Sequence, residues 1–220
     1  ILSVGRDRTQ RIWDLSTKNA RPMQSRIDTQ GTYTTEYSSD GKRVYIACYD
    51  GHVRVIDAET GDAIEKWQVH DGSCNTLSLS ADKQRLLTCS WDKTAKLLNA
   101  ITGEQIAVLE LSAGAYDCCL SPDGKLGAFT LGKVVEIWDL EQRTKLGVCE
   151  GFNGESMQEV QFSPDGKRVA ATGAGGNACV WDVESRKLLA SLGDANQKAS
   201  ALCFSKDGKL IATGGAGSAT

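Results

Sequence analysis

Two short markers recur along this chain with the same spacing, and that periodicity restricts the fold more than any other feature. The first is a four-residue turn, "SSDG" (Ser38 to Gly41), "SADK" (Ser80 to Lys83), "SPDG" (Ser121 to Gly124), "SPDG" (Ser163 to Gly166) and "SKDG" (Ser205 to Gly208). Its aspartates, Asp40, Asp82, Asp123, Asp165 and Asp207, are 42, 41, 42 and 42 residues apart. The second is "IWD" ending at Asp14, "VID" at Asp57, "LLN" at Asn99, "IWD" at Asp139 and "VWD" at Asp182, with gaps of 43, 42, 40 and 43. Two independent markers in step define one structural unit used repeatedly, and such units bury their apolar faces by stacking on one another.

Within each period the apolar residues alternate with polar ones, as in "MQEVQFS", "KRVAATG" and "ACVWDV". That is the two-residue period of a β-strand, and each unit has room for about four short strands. Asp-Gly suits the tight turn after the first strand, because glycine accepts positive φ and the aspartate can accept a hydrogen bond from nearby backbone N–H groups. "ETG" (Glu59 to Gly61) and "ITG" (Ile101 to Gly103) supply the turn after the third strand. No stretch keeps a helical period, so an all-β fold is expected.

A repeat of this length carrying "SPDG", then a turn such as "TCSWD" (Thr88 to Asp92), then "IWD" or "VWD", resembles the WD-repeat family of G-protein-β-like repeats. The resemblance covers the whole chain. It implies a β-propeller of four-stranded antiparallel blades around a central channel, with the first strand of each blade innermost. By this register a partial blade spans residues 1–28, blades span 29–70, 71–112, 113–153 and 154–195, and a partial blade spans 196–220. About five to six blades are expected, cropped from a seven-bladed ring. The family's buried hydrogen-bonded set of His, Ser/Thr, Asp and Trp maps best onto His70, Thr88 and Asp92, with Leu98 at the Trp position. Trp13, Trp138 and Trp181 fall at the same position in other blades and are expected to be structural. The turn aspartates, Asp50 and Asp92 among them, are expected to accept backbone N–H groups.

Composition narrows the function. With 25 basic and 28 acidic side chains there is no excess positive charge to hold a phosphate backbone, so nucleic acid is not the expected partner. The cysteines at 48, 74, 89, 118, 119, 149, 179 and 203 show no C-x-x-C spacing and read as reduced thiols of an intracellular protein, cytoplasmic with the nucleus as alternative. Cys48, Cys89, Cys179 and Cys203 are expected to be separate and buried, and the vicinal Cys118 and Cys119 to face opposite sides of one strand. No apolar run approaches the roughly 18 residues of a membrane span, and the first residues do not read as a signal segment. The glycine-rich "TGAGGNA" (Thr172 to Ala178) precedes a strand, whereas a phosphate-binding loop opens a helix. The only histidines, His52 and His70, make neither a catalytic triad nor a metal centre. No cofactor and no catalysis are expected.

What remains is the surface. The resemblance places a rim where the turn between second and third strands meets the entry to the first strand. Arg6, Tyr49, Trp91 and Leu131 map to the turn, and Tyr33, Asn75 and Tyr116 to the strand entry. Aromatic and Arg residues supply much of the energy of protein interfaces. Residues about 42 apart in sequence become neighbours on adjacent blades, so Tyr33, Tyr49, Trp91 and Tyr116 are expected to form one patch. A non-catalytic scaffold that binds a protein or peptide, as part of a multiprotein complex, is the expected function. The alternatives are an enzyme built on a propeller and the sensing region of a larger multidomain protein.

Overall fold

A computed structural model describes residues 2–4, 10–14, 19–22, 32–174, 178–193, 199 and 201–215, with backbone placement alone for those before residue 34. These residues form 21 strands and, among the described residues, no helix. The first sheet has three antiparallel strands, β1 (Leu2–Val4), β2 (Gln10–Asp14) and β3 (Asn19–Pro22). Four sheets of four antiparallel strands follow. They are β4 (Thr32–Tyr37), β5 (Arg43–Cys48), β6 (His52–Asp57) and β7 (Ala63–Gln68); then β8 (Cys74–Leu79), β9 (Arg85–Ser90), β10 (Thr94–Asn99) and β11 (Gln105–Glu110). The next are β12 (Cys118–Leu120), β13 (Leu126–Leu131), β14 (Val134–Asp139) and β15 (Thr144–Cys149); then β16 (Ser156–Phe162), β17 (Arg168–Ala174), β18 (Ala178–Asp182) and β19 (Leu188–Leu192). A two-stranded sheet of β20 (Ala201–Phe204) and β21 (Ile211–Gly214) completes the described chain. Each sheet pairs its strands in chain order, the arrangement of a propeller blade.

Both periodic markers are turn chemistry. In the first, Ser38 Oγ donates to Asp40 Oδ1 at 2.6 Å, the same carboxylate oxygen accepts Lys42 N–H at 3.0 Å, and Ser38 Oγ accepts Arg43 N–H at 2.9 Å. The pattern recurs at Ser121 and Asp123 and at Ser163 and Asp165. Gly41, Gly124, Gly166 and Gly208 hold φ between 68° and 70°, and Lys83 takes φ 56° at the equivalent place in "SADK". A residue with a Cβ is disfavoured there, which is why glycine is the usual choice. In the second marker the terminal Asp or Asn caps the following turn. Asp57 Oδ1 accepts the N–H groups of Glu59 and Thr60, both at 2.8 Å, and Asp139 does the same for Glu141 and Gln142.

Both faces of a blade are buried, since each packs on a neighbouring blade. Tyr45, Val53 and Val55 meet Leu77, Leu86 and Leu98 across one junction. Leu87, Cys89 and Leu109 meet Phe129 and Trp138 across the next. Ala128, Val135 and Ile137 meet Met157, Val169 and Trp181 across the third. Cys118 and Cys119 separate here, Cys118 joining the second of these clusters and Cys119 packing against the third, because successive side chains of a strand leave opposite faces.

The first strands line the inner side, and each would present an unpaired edge to the channel. Side chains from the preceding blade cover part of that edge. Thr34 Oγ1 accepts Leu77 N–H at 3.0 Å, and Ser78 Oγ accepts Leu120 N–H at 3.2 Å. Asp117 Oδ2 accepts Val160 N–H at 2.8 Å, Glu159 Oε2 accepts Leu202 N–H at 2.9 Å, and Gln161 Oε1 accepts Phe204 N–H at 2.8 Å. Donor and acceptor are always one repeat apart, so the sequence period appears directly as a ladder between blades.

All eight cysteines are free thiols, six of them buried. Cys203 corrects the expectation of burial: it is exposed, because among the described residues nothing covers that face of the two-stranded sheet.

Candidate interaction rim

Trp91 sits in the turn between β9 and β10, and local hydrogen bonds hold that turn firmly. Ser90 Oγ accepts Asp92 N–H at 3.0 Å, Asp92 Oδ1 accepts Thr94 N–H at 2.8 Å, and Lys93 adopts φ 70° to close the loop. With its backbone so constrained, the indole projects outward and is 45% exposed. Tyr116, from the entry to the next blade, meets it edge to face, with ring centroids 4.1 Å apart and planes at 73°. Ala115 N–H bonds Ser90 O and Tyr116 N–H bonds Thr130 O, both at 3.0 Å, which ties this entry loop to both blades. Gly114 makes room for the indole, since a Cβ there would lie 3.0 Å from Trp91 Cε3 and from its carbonyl oxygen. Tyr49, in the homologous turn one blade earlier, is 50% exposed.

Asn75 and Leu131, read from the sequence as rim contacts, are placed inside. Asn75 is 5% exposed; its amide donates to Ala115 O at 2.6 Å, and its carbonyl oxygen accepts Ser73 Oγ at 2.5 Å. It latches the entry loop of the next blade rather than facing a partner. Leu131 is 4% exposed and belongs to an apolar cluster between blades. Its turn is shorter: β13 runs through Leu131 and only Gly132 and Lys133 precede β14, so Leu131 keeps strand alternation and points into the core. Trp91 lies beyond the end of its strand and escapes that constraint. Arg6 lies outside the described residues, as do the side chains of Tyr33 and Trp13.

The residues read as structural occupy four different hydrogen-bond arrangements among the described residues. His70 Nε2 contacts Thr88 Oγ1 at 2.9 Å, and its Nδ1 lies 3.1 Å from Asp92 Oδ2 and 3.0 Å from Thr94 Oγ1. Burial of the ring outweighs the attraction of Asp92 and lowers the His70 pKa to about 4, so the imidazole is neutral at physiological pH. Asp50 does more than accept a backbone N–H: Arg54 grips both its oxygens, at 2.6 and 3.0 Å. Partial burial raises its pKa, but the Arg54 hydrogen bonds and charge prevail and hold it at about 2. Trp181 is fully buried and donates from Nε1 to Glu150 O at 2.6 Å.

The surroundings of Trp138 could not be anticipated from the family pattern. Its Nε1 donates to Glu136 Oε2 at 2.9 Å, while Glu136 Oε1 accepts Ser112 Oγ at 2.6 Å and Lys145 Nζ at 3.1 Å. Glu136 is 1% exposed. A lone Glu two residues before the Trp, at an inward strand position in "VVEIWD", was the available signal. Glu136→Ala strips partners from a buried indole N–H and from Lys145, and is expected to cost about 2 kcal/mol in urea unfolding. A loss below about 0.5 kcal/mol would mean that the network contributes no net stability.

Beside Tyr116 the inner strands frame a recess of about 420 Å³ whose lining includes Thr34, Asn75, Asp117 and Glu159. Burial raises both carboxyl groups, Asp117 to about 7. Each accepts a backbone N–H of the following blade, as described above. Among the described residues no group of three or more His, Cys, Asp or Glu side chains is placed to hold a metal ion, and no helix is long and apolar enough to cross a membrane.

Comparison with known proteins accounts for this geometry. The family described as "Anaphase-promoting complex subunit 4 WD40 domain" matches residues 2–82. The family described as "WD domain, G-beta repeat" matches residues 144–182 and 186–219. The U3 small nucleolar RNA-associated protein 15 homolog of Xenopus laevis is 25% identical over 186 residues, 83% of this chain and 36% of that protein. WD repeat-containing protein 1 of Xenopus tropicalis is 28% identical over 157 residues, 68% of this chain and 26% of that protein. Human apoptotic protease-activating factor 1 is 28% identical over 208 residues, 90% of this chain and 16% of that protein. The chain thus spans well under half the length of these relatives. The repeated four-stranded antiparallel sheets, the turn markers and these matches together establish that the chain belongs to the WD-repeat family.

Proposed function

We propose that this propeller is a non-catalytic interaction module that docks a protein or peptide on the rim around Trp91, Tyr116 and Tyr49, as part of a multiprotein complex. The observation that supports this reading is the exposed edge-to-face pair of Trp91 and Tyr116, contributed by two adjacent blades. A half-exposed indole on a rigid turn loses little conformational entropy when a partner covers it, and large aromatic anchors dominate interface energetics. Tyr49 extends the aromatic surface toward the preceding blade, and Tyr33, on the entry strand of that blade, is assigned to the same patch by register. The channel carboxylates serve as acceptors for neighbouring backbone N–H groups, which favours binding over catalysis.

Trp91→Ala is expected to weaken binding of the partner by about 2 kcal/mol, roughly thirtyfold, with little change in stability. Affinity purification with the complete protein, wild type against Trp91→Ala, identifies the partner, and titration of the two forms measures the loss. If Trp91→Ala unfolds early while its folded fraction binds normally, the indole belongs to the core and the rim reading fails.

A second reading is that the propeller is a sensing region within a larger multidomain protein. The match of most of this chain to a small part of human apoptotic protease-activating factor 1 favours it. The cytoplasm is the proposed compartment, with the nucleus as alternative, since one relative's name carries a small nucleolar RNA association.

A further inference from the structure

A second groove lies between the blade of β8–β11 and that of β12–β15. It encloses about 480 Å³, with Leu97, Ala107 and Leu140 among its lining and Arg85, Lys125 and Arg143 at its sides. Its acids, Asp123 and Glu141, are both exposed, so three cations face two carboxylates and one positive charge is left over. Asp123 Oδ1 is engaged in its own turn by Ser121 Oγ at 2.6 Å and Lys125 N–H at 3.1 Å.

Arg85 is the informative residue. An arginine opens the second strand at three junctions, as Arg43, Arg85 and Arg168, and each reaches toward the following blade. Arg43 Nη1 donates to Ile101 O at 3.4 Å, and Arg168 Nη2 donates to Gly208 O at 2.9 Å. The Arg85 guanidinium lies over Gly124, so close that a Cβ there would be 2.4 Å from its Nη2. Among the described residues, however, it makes no hydrogen bond, whereas Arg143 Nη2 on the same groove already donates to Ile106 O at 3.0 Å. A planar cation seated on a glycine turn, with its donors unspent and the exposed Ile106 side chain lining the same groove, is matched by a carboxylate next to an aliphatic side chain.

We propose that this groove binds an extended acidic segment of a partner protein, with one carboxylate paired to Arg85 and a neighbouring aliphatic side chain against the exposed Ile106. The site is separate from the aromatic rim and does not depend on it. The test uses a fluorescent peptide alternating glutamate and leucine, titrated into the whole protein alongside its glutamine counterpart. The glutamate peptide is expected to bind saturably and to shift the Arg85 Nε–H resonance. The glutamine peptide and the Arg85→Gln variant are each expected to bind about tenfold more weakly, the scale of one charge-assisted hydrogen-bonded pair. Arg43→Gln, the equivalent residue at another junction, should leave binding unchanged. The proposal is overturned if no saturable binding occurs, if the two peptides bind equally, or if Arg85→Gln binds normally while melting like wild type.

Discussion

Replacing Trp181 with alanine is expected to destabilise the protein by about 3–5 kcal/mol, the largest effect of any single substitution considered. The indole is fully buried among Ala128, Val135 and Ile137 of one blade and Met157 and Val169 of its own, so truncation opens a cavity at a blade junction where neither sheet can collapse alone. It also removes the donor to Glu150 O, leaving that carbonyl to find another partner. Urea unfolding followed by tyrosine fluorescence and circular dichroism measures the loss. Because a propeller is held together by contacts between neighbouring blades, the transition is expected to broaden as well as shift. A change below about 1 kcal/mol would show that the junction repacks around the void.

The second large effect is acid sensitivity centred on His70. Its folded pKa, about 4, lies below its ordinary value of 6.5, so the unfolded chain binds more protons between those two values. Stability from this group is therefore fully present above about pH 6.5 and is lost as pH falls toward 4, by about 3 kcal/mol in all. The charges facing the ring are Asp92, Lys96 and Asp71; desolvation, joined by the like charge of Lys96, outweighs the attraction of the two aspartates. Asp117 acts in the opposite sense. Burial raises it to about 7, so its contribution is present at low pH and is lost as pH rises from the usual carboxylate range to about 7. Glu36 and Glu159, also raised by burial, titrate in the same direction as Asp117. The wild-type profile is thus flattened, and Asp117→Asn is expected to unmask the His70 slope. Denaturant unfolding of Asp117→Asn and of the double variant with His70→Asn, from pH 4 to 7, isolates it. If the two variants share one slope, His70 does not titrate as its burial requires.

How legible the molecule was in its sequence depends on whether a feature repeats. The turn markers recur because Ser, Asp and Gly satisfy local backbone groups within a few residues, and such chemistry is readable wherever it occurs. Strand alternation and the period then dictate four-stranded sheets that stack, since a sheet with two apolar faces has no other way to bury them. The exposure of Trp91 was readable for the same reason, as a large ring on a turn just past the end of a strand.

Residues whose role depends on the neighbouring blade were another matter. Asn75 and Leu131 shared the register of the rim, yet one is spent on the carbonyl of Ala115, 40 residues away, and the other is turned inward by a shorter loop. Glu136 replaces the family's usual hydrogen-bonded set with contacts to Ser112, Trp138 and Lys145, of which the sequence offered only the Glu two residues before the Trp. Asp117 looks like an ordinary polar residue until burial and Val160 surround it. By itself the sequence determined the repeat, the strands and the turns, because those rest on interactions within one unit. Which side chains are buried, which carboxyl groups are shifted and which arginine keeps its donors were decided only when the blades packed, because desolvation and hydrogen-bond satisfaction depend on atoms a full repeat away.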